Sequence, residues 1–470
     1  MGKNEIPSYL KRYTAEQDYS LYTYEDQAVW RFIMRQLYDF LKVHAHPAYK
    51  EGLKNTGISI EEIPKISEMD KRLQDYGWRA VGVSGFIPPA AFMSLQSHKI
   101  LPIACEIRTM DHLLYTPAPD IVHEAAGHAP ILIDPDFTNY LTSYGEVAAK
   151  AIISSEDLAL YEAIRDLSDI KEDHKSTEEQ IKNAEKKLET ISNNMTYISE
   201  AQYLGRMNWW TAEYGLIGSL DDPKIYGAGL LSSIGEAKNS LTKPKHVPFN
   251  IDCLKYTYDI TEQQPQLFVV DKFEDLNETL REMQSDMAFS HGGDRALVKA
   301  KQAKSVCTVV LEDGTTYSGV LEDYKNNGDF ITELSFKAPC LINNKDLIQE
   351  KLKKSFDPIK VVSVYGGPTS FELYPHFTDF VAKKIVRNAP QATESESLLK
   401  VIRNARKTKE LSFKNLKDQF FETSKNHWLC GLELLEFELD EDIINQLHTL
   451  KDKSRNTKTC IELGLNLLKK

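Results

Sequence analysis

Two histidines and a glutamate lie within one short stretch, residues 119–130, and these are side chains that bind metals. His123 and His128 are five residues apart, with Glu124 directly after the first. The zinc-protease motif places its histidines four residues apart on one helix face, with the glutamate as general base. At about 100° per residue, a five-residue step turns the second side chain roughly 140° away from the first. A shared metal therefore requires that the helix end or distort near Gly127, where glycine tolerates a break.

A third ligand is expected in the apolar run that follows, which predicts a helix over 203–218. Glu213 is a lone carboxylate there, among tryptophan and tyrosine side chains. Burying a carboxylate in such surroundings is costly unless it has a partner, and a metal ion supplies one. Glu213 is therefore the best candidate for the third ligand, and a salt bridge at a helix surface is the alternative.

The run Val81–Phe92 is a candidate binding loop. Its two glycines and its Pro-Pro pair predict a strand or a loop of fixed shape instead of a helix. The bare backbone at Gly85 and the neighbouring aromatic rings could hold a flat heterocycle, although a plain turn is the simpler interpretation. Near a metal pocket Arg108 would suit a carboxylate, because a guanidinium binds one through two hydrogen bonds. A surface charge is its simpler interpretation.

Composition excludes several classes of protein. The chain has 470 residues, which predicts two or three domains, and a formal net charge of -12, which argues against nucleic acid as a partner. Its six cysteines are scattered without a C-x-x-C pair, as expected for reduced thiols. No apolar run of about 18 residues occurs, so no membrane span is expected. We therefore expect a cytoplasmic protein.

Helices are expected to position the candidate ligands. Thr23 with Asp26 three residues later is typical of a helix start, and the apolar spacing predicts a helix over 20–53. The pattern is helical again from Pro130 to about residue 168. These helices account for most of the expected core.

A polar segment at 168–199 interrupts the apolar pattern. Ser176 and Glu179 form a capping-box pattern there, and a narrow apolar stripe follows among charged residues. We expect an antiparallel helical hairpin inserted at about 155–200. Packing, or contact between copies of the chain, is the expected role.

The pattern changes after residue 290. Strand-like runs flank Asp313-Gly314, which predicts a hairpin with a type I′ turn. Further strand-like runs follow at 330–336, 361–365 and 369–374, and a helical pattern extends from about residue 392 to the end. The predicted divisions are a catalytic domain at 1–290, a small β-rich domain at 291–385 and a helical C-terminal region at 386–470.

Taken together, the motifs resemble the pterin-dependent aromatic amino acid hydroxylases. The matching runs follow the family's order and are Val83–Phe92, Arg108, 115–130, Trp209–Leu216, Tyr226–Glu236 and 260–269. One such run would be weak, but six in order are specific. They cover about residues 20–285, and nothing after residue 290 resembles the family. The resemblance implies a mainly helical catalytic domain with short β-strands, here followed by the β-rich domain and the helical segment.

The resemblance also implies an activity and a role for individual residues. The enzyme would hydroxylate the ring of an aromatic amino acid, L-phenylalanine to L-tyrosine, with Fe(II), a tetrahydropterin and O₂. The iron ligands would be His123, His128 and Glu213, which leave coordination positions open for oxygen activation. The tetrahydropterin, tetrahydrobiopterin or a related pterin, would lie against Gly85, Phe86, Ile87, Phe92 and Glu124.

For the substrate, the resemblance assigns Arg108 to the amino acid carboxylate. The ring pocket would be lined by Thr116, Pro119, Trp209, Tyr214, Ser232 and Val269. Ser232 would also orient the first histidine ligand through its hydroxyl. Val269 would lie where the family's pocket floor distinguishes substrates. The expected partner is thus a small amino acid, and a homo-oligomer could form through the helical hairpin or the C-terminal region.

This chain departs from the family at three positions. Pro89 replaces a serine of the pterin loop, Pro102 replaces a histidine near the pterin, and Asn208 replaces a tyrosine. The differences concern the pterin contacts and leave the three iron ligands intact.

Two other functions fit the residues. A zinc hydrolase would use Glu124 as base and Glu213 as third ligand. A non-catalytic binding protein on a relic hydroxylase fold would use the β-rich and helical segments as its working part.

Overall fold

The structure is a computed structural model that describes residues 5–85, 87–114, 119–172, 176–259, 262–328, 330–342, 346–348, 352–366, 393–408, 413–451 and 453–469. The part before residue 304 is mostly helical with short strands, a β-sheet follows, and helices return after residue 393. None of the helices in these ranges is both long and apolar enough to span a membrane.

The α-helices alternate with short connections. Those before residue 304 are α1 (Tyr24–His44), α2 (Ala48–Asn55), α3 (Ile66–Leu73), α4 (Pro89–Ser97), α5 (Pro135–Ala148), α6 (Ser155–Glu172), α7 (Glu178–Asn193), α8 (Glu200–Asn208), α9 (Ala228–Leu231), α10 (Ile234–Ser240), α11 (Phe273–Ser285), α12 (Ala288–His291) and α13 (Gly293–Ala303). Those after residue 393 are α14 (Glu394–Thr408), α15 (Phe413–Gln419), α16 (Trp428–Leu435), α17 (Glu441–Leu450) and α18 (Arg455–Leu468). Three π-helical segments add to them, at Val122–His128, Trp209–Glu213 and Phe420–Ser424.

The strands form three sheets. They are β1 (Arg79–Val83), β2 (Ile100–Ala104), β3 (Leu216–Gly218), β4 (Pro223–Ile225), β5 (Lys245–Pro248), β6 (Gln266–Val270), β7 (Val306–Leu311), β8 (Thr316–Asn327), β9 (Phe330–Ile342), β10 (Asp346–Ile348), β11 (Leu352–Ile359) and β12 (Val361–Tyr365). β1 and β2 pair in parallel, and a second sheet has the order β4-β3-β6-β5. The third has the order β10-β9-β8-β7-β12, with β11 paired to β9.

The first helix begins where its cap predicts. Thr23 accepts a hydrogen bond from the backbone of Asp26, and the Asp26 carboxylate accepts one from the backbone of Thr23, which is a full capping box. The predicted single helix over 20–53 is wrong, because α1 ends at His44 and α2 begins only after Pro47. Proline has no N–H to donate to the preceding turn, so it interrupts the helical ladder.

The candidate binding loop is shorter than predicted. β1 ends at Val83, and α4 begins at Pro89, so Phe92 lies in a helix and not in a loop. The Pro-Pro pair starts this helix, since proline is favoured at the first helical position, where its missing N–H is not needed.

The helical hairpin is present as α6 and α7. Ion pairs join its two arms, from Lys171 to Glu185 at 2.9 Å and from Lys187 to Asp166 at 2.7 Å. The capping box of α7 uses Thr177 and Gln180, one residue later than predicted. The continuous helix predicted from Pro130 to residue 168 is wrong, because residues 149–154 separate α5 from α6.

The Asp313-Gly314 turn joins β7 to β8, but it is not of type I′. That turn needs a positive φ at both central residues, and here only Gly314 has one, at 81°. The Gly314 N–H donates to the Leu311 carbonyl, and the Leu311 N–H donates to the Thr315 carbonyl, so the connection is a longer loop around a left-handed glycine. The strand predicted at 369–374 lies outside the described residues.

The C-terminal helices pack on α1 and share one apolar cluster with it. The rings of Phe32 and Trp428 meet edge to face at 5.6 Å, and Arg31 pairs with the buried Glu433 at 3.2 Å. The Glu396 carboxylate accepts hydrogen bonds from the backbone N–H groups of Tyr24 and Glu25, at 2.9 and 2.8 Å. A side chain of α14 thus caps the first turn of α1.

We predict that Glu396→Ala lowers the free energy of unfolding by about 0.5–2 kcal/mol, because two N–H donors at the start of α1 lose their acceptor. Glu394→Ala is the matched control, since Glu394 is an exposed carboxylate in the same first turn of α14. Urea unfolding of both variants measures the difference. Equal losses would show that Glu396 contributes only its charge to α14.

Candidate active site

The two histidines lie on a π-helical segment, Val122–His128. Hydrogen bonds in a π-helix join residues five apart, so residues with that spacing come onto one face. The rings of His123 and His128 accordingly meet edge to face, with centroids 5.0 Å apart. The predicted distortion is present, and it extends over the whole motif instead of being confined to Gly127.

Gly127 is needed for close packing and not for an unusual backbone angle, since its φ is not positive. A Cβ atom on Gly127 would lie 2.6 Å from the Ala228 carbonyl oxygen of α9. Gly227, the residue directly before α9, makes a second close approach. A Cβ atom on Gly227 would lie 2.4 Å from the Glu213 carbonyl oxygen. Both distances are well below van der Waals contact, so only glycines let these backbones approach.

Glu213 lies on the second π-helical segment, Trp209–Glu213, which continues α8. The helix predicted over 203–218 therefore stops at Glu213, and β3 follows. One carboxylate oxygen lies 3.3 Å from Nε2 of His123 and the other 3.3 Å from Nε2 of His128. Burial alone would raise the pKa of this carboxyl, but the two imidazoles lower it well below its usual range. Asn208 donates to the same carboxylate at 3.5 Å.

These three residues fit a non-haem iron ion. One ligand atom from each lies within 4.8 Å of the others. Among the described residues, the buried Nε2 of His128 has the Glu213 carboxylate nearby and makes no hydrogen bond, and such an orphaned atom in a native interior calls for a further ligand. Two imidazoles and one carboxylate are the donor set of Fe(II) oxygenases.

Ser232 fixes the orientation of His123. Its hydroxyl donates to the Ala228 carbonyl at 2.7 Å, so its oxygen accepts from Nδ1 of His123 at 3.1 Å. The proton of the imidazole is thereby held on Nδ1, and Nε2 presents a lone pair toward Glu213.

Asp120 was not singled out in the sequence, and it joins the histidines to Arg108. Its carboxylate accepts from Nε of Arg108 at 2.9 Å, from Nη2 at 2.7 Å and from the His123 backbone at 3.1 Å. Burial would raise the pKa of Asp120, but the Arg108 guanidinium and backbone N–H groups lower it. The available signal was its position three residues before His123, where a carboxylate caps a helix start.

Glu124 points to the interior beside the second histidine. Its Oε2 lies 3.9 Å from Nε2 of His128 and has no hydrogen-bond partner in the part of the chain that the structure describes. Burial raises the pKa of this carboxyl to about 8. It is thus a polar group of the site that the chain's own residues leave incompletely bonded.

The candidate pterin loop lies between β1 and α4. Gly85 has φ +66° and open space where a Cβ would stand, which is the bare backbone expected there. Glu106 holds the loop by accepting from the Ser84 hydroxyl at 2.7 Å and from the Gly85 N–H at 3.4 Å. Ile87 is buried, and the Phe92 ring lies 6.5 Å from the His128 ring. Phe86 lies outside the described residues.

The candidate substrate residues are not all brought together. The Trp209 ring stacks on the rings of Tyr214 and Tyr258, with centroids 4.4 and 4.3 Å away. Two stacked rings cannot share one face of Trp209 at these distances, so they cover its opposite faces. Tyr258 was not predicted as a site residue. Pro119 is exposed, Val269 is buried in β6 opposite Leu216 of β3, and Thr116 lies outside the described residues.

The comparisons with known proteins show the family of this chain. The family model for biopterin-dependent aromatic amino acid hydroxylases matches residues 7–157 and 184–292. The chain belongs to this family. As a biopterin-dependent aromatic amino acid hydroxylase it is an oxidoreductase, and the unmatched gap in its family region contains most of the α6–α7 hairpin.

The curated relatives include bacterial phenylalanine-4-hydroxylases. That of Mesorhizobium japonicum is 27% identical over 274 residues, 57% of this hydroxylase and 83% of the relative. That of Pseudomonas aeruginosa is 29% identical over 265 residues, 56% and 84% of the two chains. Among solved structures, a point variant of Chromobacterium violaceum phenylalanine hydroxylase is 25% identical, with a TM-score of 0.45 over 58% of this chain and 86% of that one.

We predict that Ser232→Ala weakens iron binding by about 10–100-fold, because His123 loses the acceptor that holds its tautomer and ring orientation. Ser233→Ala is the matched control, since the Ser233 hydroxyl donates to the Leu114 carbonyl and caps α10 without contacting a ligand. Dissociation constants for Fe(II), measured without oxygen, compare the two. An unchanged constant in Ser232→Ala would contradict the role.

Gly127→Ala should lower the free energy of unfolding by about 1–3 kcal/mol and reduce iron occupancy, because its Cβ forces the His-bearing segment away from α9. Gly235→Ala serves as control, since nothing lies within 4 Å of a Cβ added there. Thermal unfolding and metal analysis of both variants test this. A Gly127→Ala protein of full stability and full iron content would disprove the close-packing argument.

Proposed function

We propose that this protein is an Fe(II)- and tetrahydropterin-dependent monooxygenase that hydroxylates the ring of L-phenylalanine to L-tyrosine with O₂. The observation that carries the proposal is the contact of His123, His128 and Glu213 in a chain of the hydroxylase family. The names of the curated relatives support phenylalanine as the substrate. The family match also favours this function over a zinc hydrolase.

In this proposal His123, His128 and Glu213 hold the iron. When bound, iron and tetrahydropterin together supply the reduction of O₂ that ring hydroxylation requires. Ser232 keeps the proton of His123 on Nδ1, away from the metal side of the ring. Glu124 and the Gly85 loop stand on the side where the pterin would lie, and the protein's share of catalysis is to fix these groups relative to one another.

Arg108 would bind the substrate carboxylate. A guanidinium has five N–H donors, and three of them here point to Asp120 and to the Ser232 carbonyl. We propose that the remaining N–H groups bind the carboxylate through a pair of hydrogen bonds. Asp120 would then act as the group that keeps Arg108 in one orientation before substrate arrives.

The substrate ring would meet the aromatic wall from its edge. Since Tyr214 and Tyr258 cover both faces of Trp209, a ring entering the site contacts Trp209 at an edge, which is a favourable aromatic geometry. Val269 remains part of the proposal as a determinant of substrate choice, through its place in β6.

The organisation of the whole chain is also a proposal. We propose a catalytic domain at 1–290, a β-rich domain at 291–385 and a helical region at 386–470. Contact between copies of the chain through the α6–α7 hairpin or the C-terminal helices is the proposed route to an oligomer.

Purified protein supplied with Fe(II), tetrahydrobiopterin and O₂ should convert phenylalanine to tyrosine faster than it hydroxylates tyrosine or tryptophan. His123→Ala and Glu213→Ala should reduce turnover to below about 1%, because removal of a ligand removes the metal's contribution of several kcal/mol. Chelation should abolish turnover, and Fe(II) but not Zn²⁺ should restore it.

Circular dichroism shows whether each variant remains folded. Preference for tyrosine or tryptophan would refute the substrate assignment while keeping the class of reaction. Iron binding by a folded wild-type protein, without turnover of any of the three amino acids, would refute the enzymatic proposal.

A further inference from the structure

An apolar cluster backs the candidate pterin loop. Its buried members are Leu10, Tyr13, Val83, Ile87, Ala91, Leu95, Ile100 and Val306, with Phe92, Leu158 and Val320 among the partly buried side chains packed against it. Val83 and Ile87 flank Gly85, and Phe92 lies in the helix that the loop enters. The cluster is therefore the support on which this loop rests.

Three members of the cluster come from outside the family match. Leu158 belongs to α6 of the hairpin, Val306 begins β7, and Val320 lies in β8. The family model matches residues 7–157 and 184–292 only. Segments that are additional to the hydroxylase region thus share an apolar cluster with Val83 and Ile87, the residues on either side of Gly85.

The large sheet is held firmly at this place. Ser305, next to Val306, donates to the Ile153 carbonyl, and the Gly366 N–H donates to the Lys150 carbonyl at 3.0 Å. Ser363 of β12, the neighbour of β7 in the sheet, donates to the Phe289 carbonyl at 3.0 Å. The start of β7 therefore cannot shift relative to the hydroxylase region without breaking several hydrogen bonds.

The buried Glu200 carboxylate also links the hydroxylase region to the segment before the large sheet. Glu200 accepts from the Ile152 backbone at 3.2 Å, from the Ala288 backbone at 2.7 Å and from the Lys299 ammonium of α13 at 3.1 Å. Loss of one partner would leave a charge buried and unpaired, which is strongly unfavourable. These hydrogen bonds fix the large sheet against the hydroxylase region.

The loop has few polar supports of its own. Glu106 holds its first residues, Ser84 and Gly85. The next two described residues after Ile87 are Pro88 and Pro89, and neither has a backbone N–H to donate. The Pro88 carbonyl accepts from the backbone N–H groups of Ala91 and Phe92, at 2.9 and 3.0 Å, so it is anchored to α4. Between these anchors, Ile87 is held by its apolar packing in the cluster.

We propose that Val306 and Val320 of the large sheet are positioning residues for the pterin, which act through the cluster on Val83 and Ile87, the residues on either side of Gly85. The inference rests on the proposed function, because it assigns a determinant of cofactor binding to that same site. Shortening either valine leaves a gap in this cluster, and its relaxation would let Val83 and Ile87 move away from the pose that binds the pterin ring.

The test uses the full-length, Fe(II)-loaded protein and tetrahydrobiopterin under nitrogen, so that binding is measured without turnover. Val306→Ala and Val320→Ala should each raise the pterin dissociation constant by roughly three- to tenfold. In aerobic assays the KM for the pterin should rise by the same factor, while the KM for phenylalanine stays constant. Val320 is only partly buried, so its variant remains informative if Val306→Ala fails to fold.

Val309→Ala is the matched control. Val309 is a fully buried valine of the same strand, but it belongs to the core of the sheet and not to the loop cluster. It should lose at least as much thermal stability as Val306→Ala and keep the wild-type pterin dissociation constant.

Equal pterin constants in the wild type, Val306→Ala and Val320→Ala would overturn the inference and leave the proposed function standing. An increase of the same size in Val309→Ala would also overturn it, because general loosening of the sheet would then be the cause. Wild-type protein that binds the pterin but hydroxylates no amino acid would refute the proposed function alone. Absence of pterin binding by the wild type would refute both.

Discussion

Two π-helical segments that pack closely on the same short stretch, Gly227 and Ala228, make the rest of the site possible. Packing on this shared stretch brings two imidazoles and a carboxylate together inside an apolar core, where each group alone would be costly to bury. The neighbouring charges are balanced in the same way, because Asp120 and Arg108 neutralise each other within hydrogen-bonding distance of His123. The interior therefore tolerates these polar groups only while the two segments stay at this separation.

Prediction from sequence succeeded where a residue's own chemistry decides the outcome. The donor types of His123, His128 and Glu213 indicated a metal site, and Thr23 with Asp26 marked a helix start, because each depends on groups a few residues apart or on ligand chemistry alone. The π-helical hydrogen bonding has no residue signature, so only the five-residue spacing hinted at it. The pairing of Arg108 with Asp120, and the need for Gly127, depend on which backbone comes near in the folded chain.

The additional segments are not distributed evenly around the hydroxylase region. The proposed iron ligands and Ser232 lie wholly within the residues that the family model matches, whereas side chains of the hairpin and the large sheet join the apolar cluster that contains Ile87 of the proposed pterin loop. Pro89 and Pro102, two of the departures from the family, lie on the same side, at the start of α4 and in β2. In the proposed function, the chain thus combines the metal donors that the resemblance implies with altered surroundings for the cofactor.

The cap that Glu396 places on α1 joins residues 372 positions apart. A contact of such long range forms late, because the intervening chain must first be made and brought back. During synthesis, α1 leaves the ribosome well before α16, so Phe32 lacks its partner Trp428 until α16 follows. The face of α1 that carries Phe32 therefore stays open to other contacts of the nascent chain during that interval.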